Sequence, residues 1–481
     1  MDAHEPLAVV DPGGPWTRAQ VQLDALAVAE AIGRRAGERV ASLCTAGHDF
    51  LAALLGSWES GSIAVPLHPG HPDPELAYFL DDAGASVIVC SAEHEELARR
   101  FGRPVVVVAP GSGKEPTRLA VPAPDVPAIL IYTSGTTGKP KGAVHTHGGL
   151  GAQIDALVTA WRWTSADRIL LVLPLHHVHG IVNVCLCAWA ARATCEAPGG
   201  FDAEETWDRL ASGDLTLFMA VPTIYARLIA TWEAADGPTR ARWSSGAARL
   251  RLMVSGSAAL PVPTLERWRE LTGHELLERY GMTEFGMALS NSLGSRVPGH
   301  VGEPLPGIEV RLVDEDGNDA AAGESGELLV RGRALFREYW GRPAETADAF
   351  VDGWFRTGDV AVHDDVGYRL LGRSSVDIIK SGGEKVSALE IEDVYRTHPD
   401  IVDCAVVGVP DAEWGERVAM VYVGTSTGAP EPAALRAWGK ERLAAAKVPT
   451  RYLGVDELPR NTIGKVTKPP IVDLFGGSPN G

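Results

Sequence analysis

The sequence predicts an α/β protein with a large N-terminal domain of parallel-rich sheets covered by helices, a small β subdomain, and a small α+β C-terminal domain. Three observations carry this. The 481 residues are too many for one ordinary core, so two or more domains are expected. Up to about residue 300, short β-branched runs alternate with helical patterns, the signature of parallel sheets covered by helices. Beyond that point the texture changes twice, first to hairpin-like strands and then to a mixed α+β pattern.

The elements follow in order. Residues 128–132, 168–173, 215–221 and 250–254 read as strands. Between the first two, Leu150, Ile154, Leu157, Val158 and Trp161 recur at helical spacing. The apolar run 181–190 is too short to span a bilayer and carries Asn183, so it reads as buried core. Residues 233–248 are polar and contain Gly and Ser, and are expected to form a surface loop. IEVRLVDEDGND followed by GELLVRG reads as two strands around an Asp-Gly turn. Past Gly372, Ser387 and Glu390 have capping-box spacing, opening a helix that carries Leu389, Ile391 and Val394. Strands at 404–407 and 418–423 and an Ala-rich helix over 432–445 complete one small domain. The boundary is placed between residues 1–372 and 373–481, and no internal repeat is evident.

Composition narrows the function classes. The chain is 45% hydrophobic and 22% charged, which is globular. Its formal net charge of -18 repels a phosphate backbone and argues against nucleic acid as a partner, without forbidding a locally basic pocket for a small anion. The first residues lack a basic stretch followed by an apolar run, so no signal peptide is expected, and no stretch is long enough for a membrane span. The six cysteines sit mostly in apolar company without C-x-x-C pairs, which reads as buried free thiols. Together these features predict a reduced, cytoplasmic protein.

The strongest chemical signal is YTSGTTGKPKG, from Tyr132 to Gly142, directly after an apolar strand. Glycines let a backbone approach phosphate closely and expose its N–H groups. Thr133, Ser134, Thr136 and Thr137 add hydroxyls, Gly135 adds backbone freedom, and Lys139 and Lys141 add positive charge. It is not a Walker A loop.

This string resembles the phosphate loop of the adenylate-forming superfamily, which includes acyl-CoA synthetases, luciferases and peptide-synthetase adenylation domains. Further segments resemble that family in the right order. HHVHG from His176 falls where the family borders its acyl pocket. VSGSA, with Gly256, Ser257 and Ala258, and ERYGMTE, with Glu278, Arg279, Tyr280, Gly281, Met282, Thr283 and Glu284, resemble its adenine and magnesium segments. GWFRTGD, ending at Asp359, resembles its ribose motif, and Gly372-Arg373 its hinge entry. SGGEK, comprising Ser381, Gly382, Gly383, Glu384 and Lys385, resembles the loop that lines the CoA thiol tunnel. PRNTIGK, ending at Lys465, resembles the catalytic-lysine motif.

The resemblance implies ATP, Mg2+ and coenzyme A as reaction partners and a C-terminal domain that is mobile. Tyr280 would stack on adenine, Asp359 would accept from the ribose hydroxyls, Arg373 would reach ribose or phosphate unless it serves as an interdomain salt bridge, and Glu284 would hold the magnesium. Lys465, with the loop from Thr133 to Lys141, would stabilise charge while a carboxylate attacks the α-phosphorus. The CoA thiol would then attack the mixed anhydride. Family hinges often carry Asp or Lys two residues after the arginine. This chain has Ser375 there, which puts the pivot residue in doubt.

The acid is read from cations. Arg279 precedes Tyr280, Arg296 follows in RVPGHVG, and His177 and His179 approach from the other motif, with Ser257 nearby in the reading. A guanidinium binds carboxylate by two parallel bonds and stays charged when desolvated. The expected substrate is therefore a dicarboxylate, malonate and with it methylmalonate, with Arg296 favoured over Arg279 as the ligand of the distal carboxylate. The alternative is that both arginines tether loops or contact phosphate. ERYGMTE with RVPGHVG also resembles malonyl-CoA synthetases within the superfamily. The rival readings are an aliphatic or aryl monocarboxylic acid–CoA ligase, an adenylating enzyme feeding a separate carrier protein, and a non-catalytic nucleotide sensor. The short stretch after Lys465 leaves no room for a fused carrier domain in this reading.

Overall fold

The computed structural model describes residues 7–112, 122–133, 139–381, 384–411, 414–425, 428, 430–460 and 466–476, with the backbone alone at 384 and 385. Among the described residues, the largest sheet has nine strands. Its centre is a parallel run in the order Leu277–Met282, Leu252–Ser255, Leu217–Ala220, Arg168–Leu170, Thr194–Glu196, Leu7–Asp11. A seven-stranded sheet carries Pro127–Tyr132 and Gly142–Thr146 as an antiparallel pair, edged by the two-residue strand Glu338–Tyr339. Helices cover both sheets, as the alternating pattern predicts.

The four strands read from sequence exist with their ends moved by one to three residues, and the helix after the first runs His147–Ala160. Thr146 caps that helix by accepting from Gly149 N at 3.0 Å. The apolar run from residue 181 lies buried within a wide helical segment, His179–Leu186, followed by Cys187–Ala191. No helix among the described residues is long and apolar enough to cross a membrane. All six cysteines are buried and free.

One expectation fails. Residues 233–248 are no surface loop, because Gly237–Ala247 forms a helix. Asp236 caps it by accepting from Thr239 N at 2.8 Å, and Pro238 sits in its first turn, where a missing N–H costs nothing. Trp243 anchors it: the ring is buried, stacks on Trp207 at 5.6 Å, and donates from Nε1 to Asp208. Trp207 in turn stacks on Trp268 at 5.2 Å. Removing a buried tryptophan of this kind costs about 3–5 kcal/mol, which outweighs the poor helix propensity of the flanking Gly and Ser.

The hairpin appears as Ile308–Val313 against Ser325–Gly332, and Trp354–Asp364 and Gly367–Arg373 extend it. Asp314 accepts from the amides of Asp316 and Asn318, and Gly317 takes φ +83, so the Asp-Gly turn is built as read. The next strand, Ile378–Ser381, belongs to a separate C-terminal sheet with Glu384–Ser387, Gly415–Gly424, Ile401–Asp411 and Arg451–Gly454. Ser387 caps the helix Ala388–Tyr395 by accepting from Glu390 N, but the box is half made. The Glu390 carboxylate pairs with Lys447 at 2.6 Å instead of reaching back.

Candidate active site

In open α/β sheets the carboxyl ends of parallel strands are where ligands bind, since loops there converge on a crevice. Here those ends deliver Gly256 to Ala258 after Leu252–Ser255, and Met282 to Glu284 at the end of Leu277–Met282. The HHVHG segment follows the strand Arg168–Leu170 to the same edge, since His179 Nδ1 lies 3.2 Å from Ser257 Oγ.

Arg279 is the centre of this region. Its side chain is only 4% exposed. Nη2 lies 3.3 Å from Ser257 Oγ, and Nε finds no hydrogen-bond partner among the described residues. Burial pushes this guanidinium down towards about 9, so it remains a cation at neutral pH. Gly256 makes room for it: a Cβ there would stand 2.4 Å from Arg279 Cζ. Ser257 adopts φ +71, an uncommon conformation for a non-glycine residue, and so presents its hydroxyl to both Arg279 and His179. Other buried polar atoms also lack partners among the described residues: His177 Nε2, His179 Nε2, Ser255 Oγ and both side-chain heteroatoms of Asn183. Burial lowers His177 to about 4 and His179 well below its usual range, with Arg279 and His177 adding to the latter, so both imidazoles are neutral. A desolvated cation beside neutral hydrogen-bonding groups is built to receive an anion.

Arg296 does not join it, which corrects the sequence expectation. The strand Gly286–Ser290 runs antiparallel to Leu277–Met282 and carries the chain back to the opposite edge of the sheet. There Arg296 donates to the carbonyl of Glu275 and borders a groove of about 460 Å³ with Arg162, Asp167 and Arg251, residues that precede strands. It is the loop tether that the alternative described. Glu278, also read as a nucleotide residue, is engaged by the loop that carries Gly299. It accepts from Gly299 N at 3.0 Å, and burial raises it to about 8.

The nucleotide residues lie on neighbouring elements. Tyr280 donates from its hydroxyl to Asp359 Oδ2, and Arg373 Nε lies 3.1 Å from Asp359 Oδ1. Arg373 Nη2 also reaches Met282 Sδ at 3.9 Å. Gly281 is packed so closely that a Cβ would meet the carbonyl of Gly286 at 2.0 Å. The carbonyl of Thr283 accepts from His145, which burial keeps neutral. Ser257 and Ala258 are exposed at the strand end.

Thr133 and Lys141 close the base of the phosphate loop, Thr133 N donating to Lys141 O at 2.9 Å. Lys139 lies over the Tyr78 ring and Lys141 over that of Tyr339. Ser134, Gly135, Thr136 and Thr137 lie outside the described residues, as do Gly382, Gly383 and Lys465, and the side chains of Glu384 and Lys385. Ser381 is buried at the end of its strand and faces Gly415 in the ladder.

Glu284 is buried, and burial raises it above its ordinary value. Tyr339 donates to its Oε1 at 2.8 Å, a partner that the sequence reading missed. Only the short edge strand brings that tyrosine beside the loop, and no motif announces it. The described residues contain no cluster of three or more metal-ligating side chains. A lone buried carboxylate beside a phosphate loop suits a hard cation whose other ligands are phosphate oxygens and water.

A family model described as AMP-binding enzyme matches residues 3–340, and that of the AMP-binding enzyme C-terminal domain matches residues 390–465. The chain belongs to the adenylate-forming AMP-binding enzymes. Among the AMP-binding enzymes it is 45% identical to the mitochondrial malonate–CoA ligase of Mus musculus, over 96% of this chain and 87% of that protein. The ATP-bound MatB from Rhodopseudomonas palustris superposes with a TM-score of 0.89 at 33% identity, covering 99% of this chain and 97% of that one. A malonyl-CoA ligase in a ternary product complex with methylmalonyl-CoA and AMP gives a TM-score of 0.70 at 39% identity, covering 95% and 97%. This AMP-binding enzyme is thus an acyl-CoA ligase that forms an acyl-adenylate.

Proposed function

We propose that the chain is a malonate–CoA ligase, converting malonate, and methylmalonate with it, together with ATP and CoA into the acyl-CoA, AMP and pyrophosphate. The observation that carries the substrate is the buried Arg279 guanidinium at the carboxyl edge of the sheet, with Nε lacking a partner among the described residues. A monocarboxylate would leave that charge desolvated and unanswered, whereas a second carboxylate matches it. Relatives whose names give malonate as the acid support the same reading.

In this mechanism Arg279, oriented by Ser257, holds the distal carboxylate while the other carboxylate attacks the α-phosphorus and pyrophosphate leaves. Tyr280, Asp359 and Arg373 hold the nucleoside. Thr133, Lys139 and Lys141 hold phosphates, and Lys465 bridges the acyl carboxylate and the α-phosphate. Glu284 would hold magnesium, which when bound neutralises charge on the phosphates. The thiol of CoA then attacks the carbonyl carbon, the C–O bond of the anhydride breaks, and AMP departs. The C-terminal domain turns between the halves, bringing the Ser381–Lys385 loop to the thiol. The lower TM-score against the product complex, despite its higher identity, is what a changed disposition of that domain would give. Six buried free thiols accord with a reducing, cytoplasmic setting.

A methyl group changes pocket fit by roughly 1–3 kcal/mol at most, so methylmalonate is accepted within about 200-fold of malonate. AMP release across malonate, methylmalonate, succinate, acetate, octanoate and benzoate tests the proposal. Preference for malonate and its methyl derivative is expected, and preference for a monocarboxylate would refute the dicarboxylate assignment.

A further inference from the structure

Glu284, Tyr339 and Lys141 form a connected group at the base of the phosphate loop. Glu338–Tyr339 pairs with Val144 and Ala143, the latter two residues after Lys141, so Tyr339 is fixed by the same ladder that ends the loop. Its amide donates to Thr346 Oγ1 at 3.0 Å, which fixes the residue from the other side. Its hydroxyl donates to Glu284 Oε1 at 2.8 Å, and both side chains are buried. Lys141 Nζ stands 4.4 Å from the centre of the Tyr339 ring and 3.0 Å from Glu345 Oε2. Lys141 is therefore held on the ring face by Glu345, and it does not form an ion pair with Glu284.

The geometry points to Tyr339 as a positioning residue that makes Glu284 a one-oxygen ligand and so favours magnesium over calcium at the nucleotide. The inference rests on the ATP-dependent reading above. A hydroxyl on Oε1 fixes the carboxylate plane and draws electron density from that oxygen, leaving Oε2 as the better donor. Magnesium demands near-ideal octahedral geometry and retains several waters, so attachment through one oxygen suits it. Calcium accepts six to eight ligands and takes carboxylates through one or both oxygens, so it gains when the restraint is lifted. Partners that orient a metal ligand in this way typically govern 10–100-fold in metal affinity.

The test is calorimetric binding of ATP to the full chain in EDTA, in Mg2+ and in Ca2+, comparing wild type with Tyr339→Phe. Binding in EDTA should be unchanged, since the Tyr339 hydroxyl is spent on Glu284 and the inference gives it a role only through the metal. The tightening of ATP binding by Mg2+ should fall about 10-fold in the variant, while the tightening by Ca2+ is retained, which narrows the preference between the ions. An unchanged Mg2+ effect and an unchanged ion preference would overturn the inference. If the variant does not fold, wild type labelled with 3-fluorotyrosine and saturated with ATP is titrated with Mg2+. A 19F line that moves on Mg2+ addition supports the contact, and no moving line overturns it. Failure of the wild type to bind ATP at all would instead defeat the ligase reading.

Discussion

The Tyr280 hydroxyl donates to Asp359 Oδ2 at 2.5 Å while Arg373 Nε lies 3.1 Å from Oδ1, so one carboxylate ties the adenine segment to the entry of the hinge. Both of its oxygens already have partners, and a ribose diol binding there must share or displace them. Replacing Asp359 by Ala removes the Tyr280 hydrogen bond, the Arg373 ion pair and, in the proposed mechanism, the ribose acceptor, a charge-assisted bond worth about 1.5–3 kcal/mol. ATP affinity should fall at least 10-fold by calorimetry, and the variant should also bind AMP more weakly.

The two arginines separate cleanly by mutation. Arg279→Ala should lower kcat/KM for malonate by at least about 100-fold, the loss expected when one partner of a buried charge pair is truncated, while ATP binding survives. Arg296→Ala should leave malonate kinetics unchanged, because its guanidinium is at the other edge of the sheet on the carbonyl of Glu275. Steady-state kinetics on both variants decides between them, and the reverse result would restore Arg296 to the substrate.

Burial of Glu278 gives the fold a pH dependence whose sign follows from its raised pKa. Burial raises it to about 8 from an ordinary 4.5, so between these values the folded chain holds a proton that the unfolded chain has lost. Stability from this group is full below the unfolded value and declines as pH rises through the folded one. Glu278→Gln keeps an acceptor for the Gly299 amide and removes the titration. The fall in Tm between pH 6 and pH 9 should be smaller in Glu278→Gln by on the order of a few degrees in thermal scans.

Lys465 serves only one half of the proposed cycle. Lys465→Ala should lose ATP–pyrophosphate exchange and still convert presynthesised acyl-adenylate to thioester. Equal loss of both halves, measured in separate assays, would contradict the turning of the C-terminal domain.

Motifs that are local in sequence were legible. Tyr280, Asp359 and Arg373 are motif residues that the structure brings into contact, Tyr280 within Leu277–Met282, Asp359 within Trp354–Asp364 and Arg373 at the end of Gly367–Arg373. Arg296 was misplaced because closeness along the chain says nothing about the reversal at Gly286–Ser290, which depends on antiparallel pairing. Tyr339 was missed for a related reason. Its two-residue strand is too short for a periodic signal, and its role arises only from pairing with a strand far away in sequence. The helix Gly237–Ala247 was hidden by its Gly and Ser content, while the capping Asp236 and the buried Trp243 were the readable clues.

Gly256 leaves the space that the Arg279 guanidinium fills. The selectivity of this pocket is therefore written partly as a missing side chain. A chain could keep every charged residue of the site and still forfeit its second-carboxylate preference through a single methyl group at position 256, which would evict the cation without touching it chemically. Surveys of relatives that score only the arginine would count such a chain as selective, and the glycine two residues after Val254 is the position that would tell them apart.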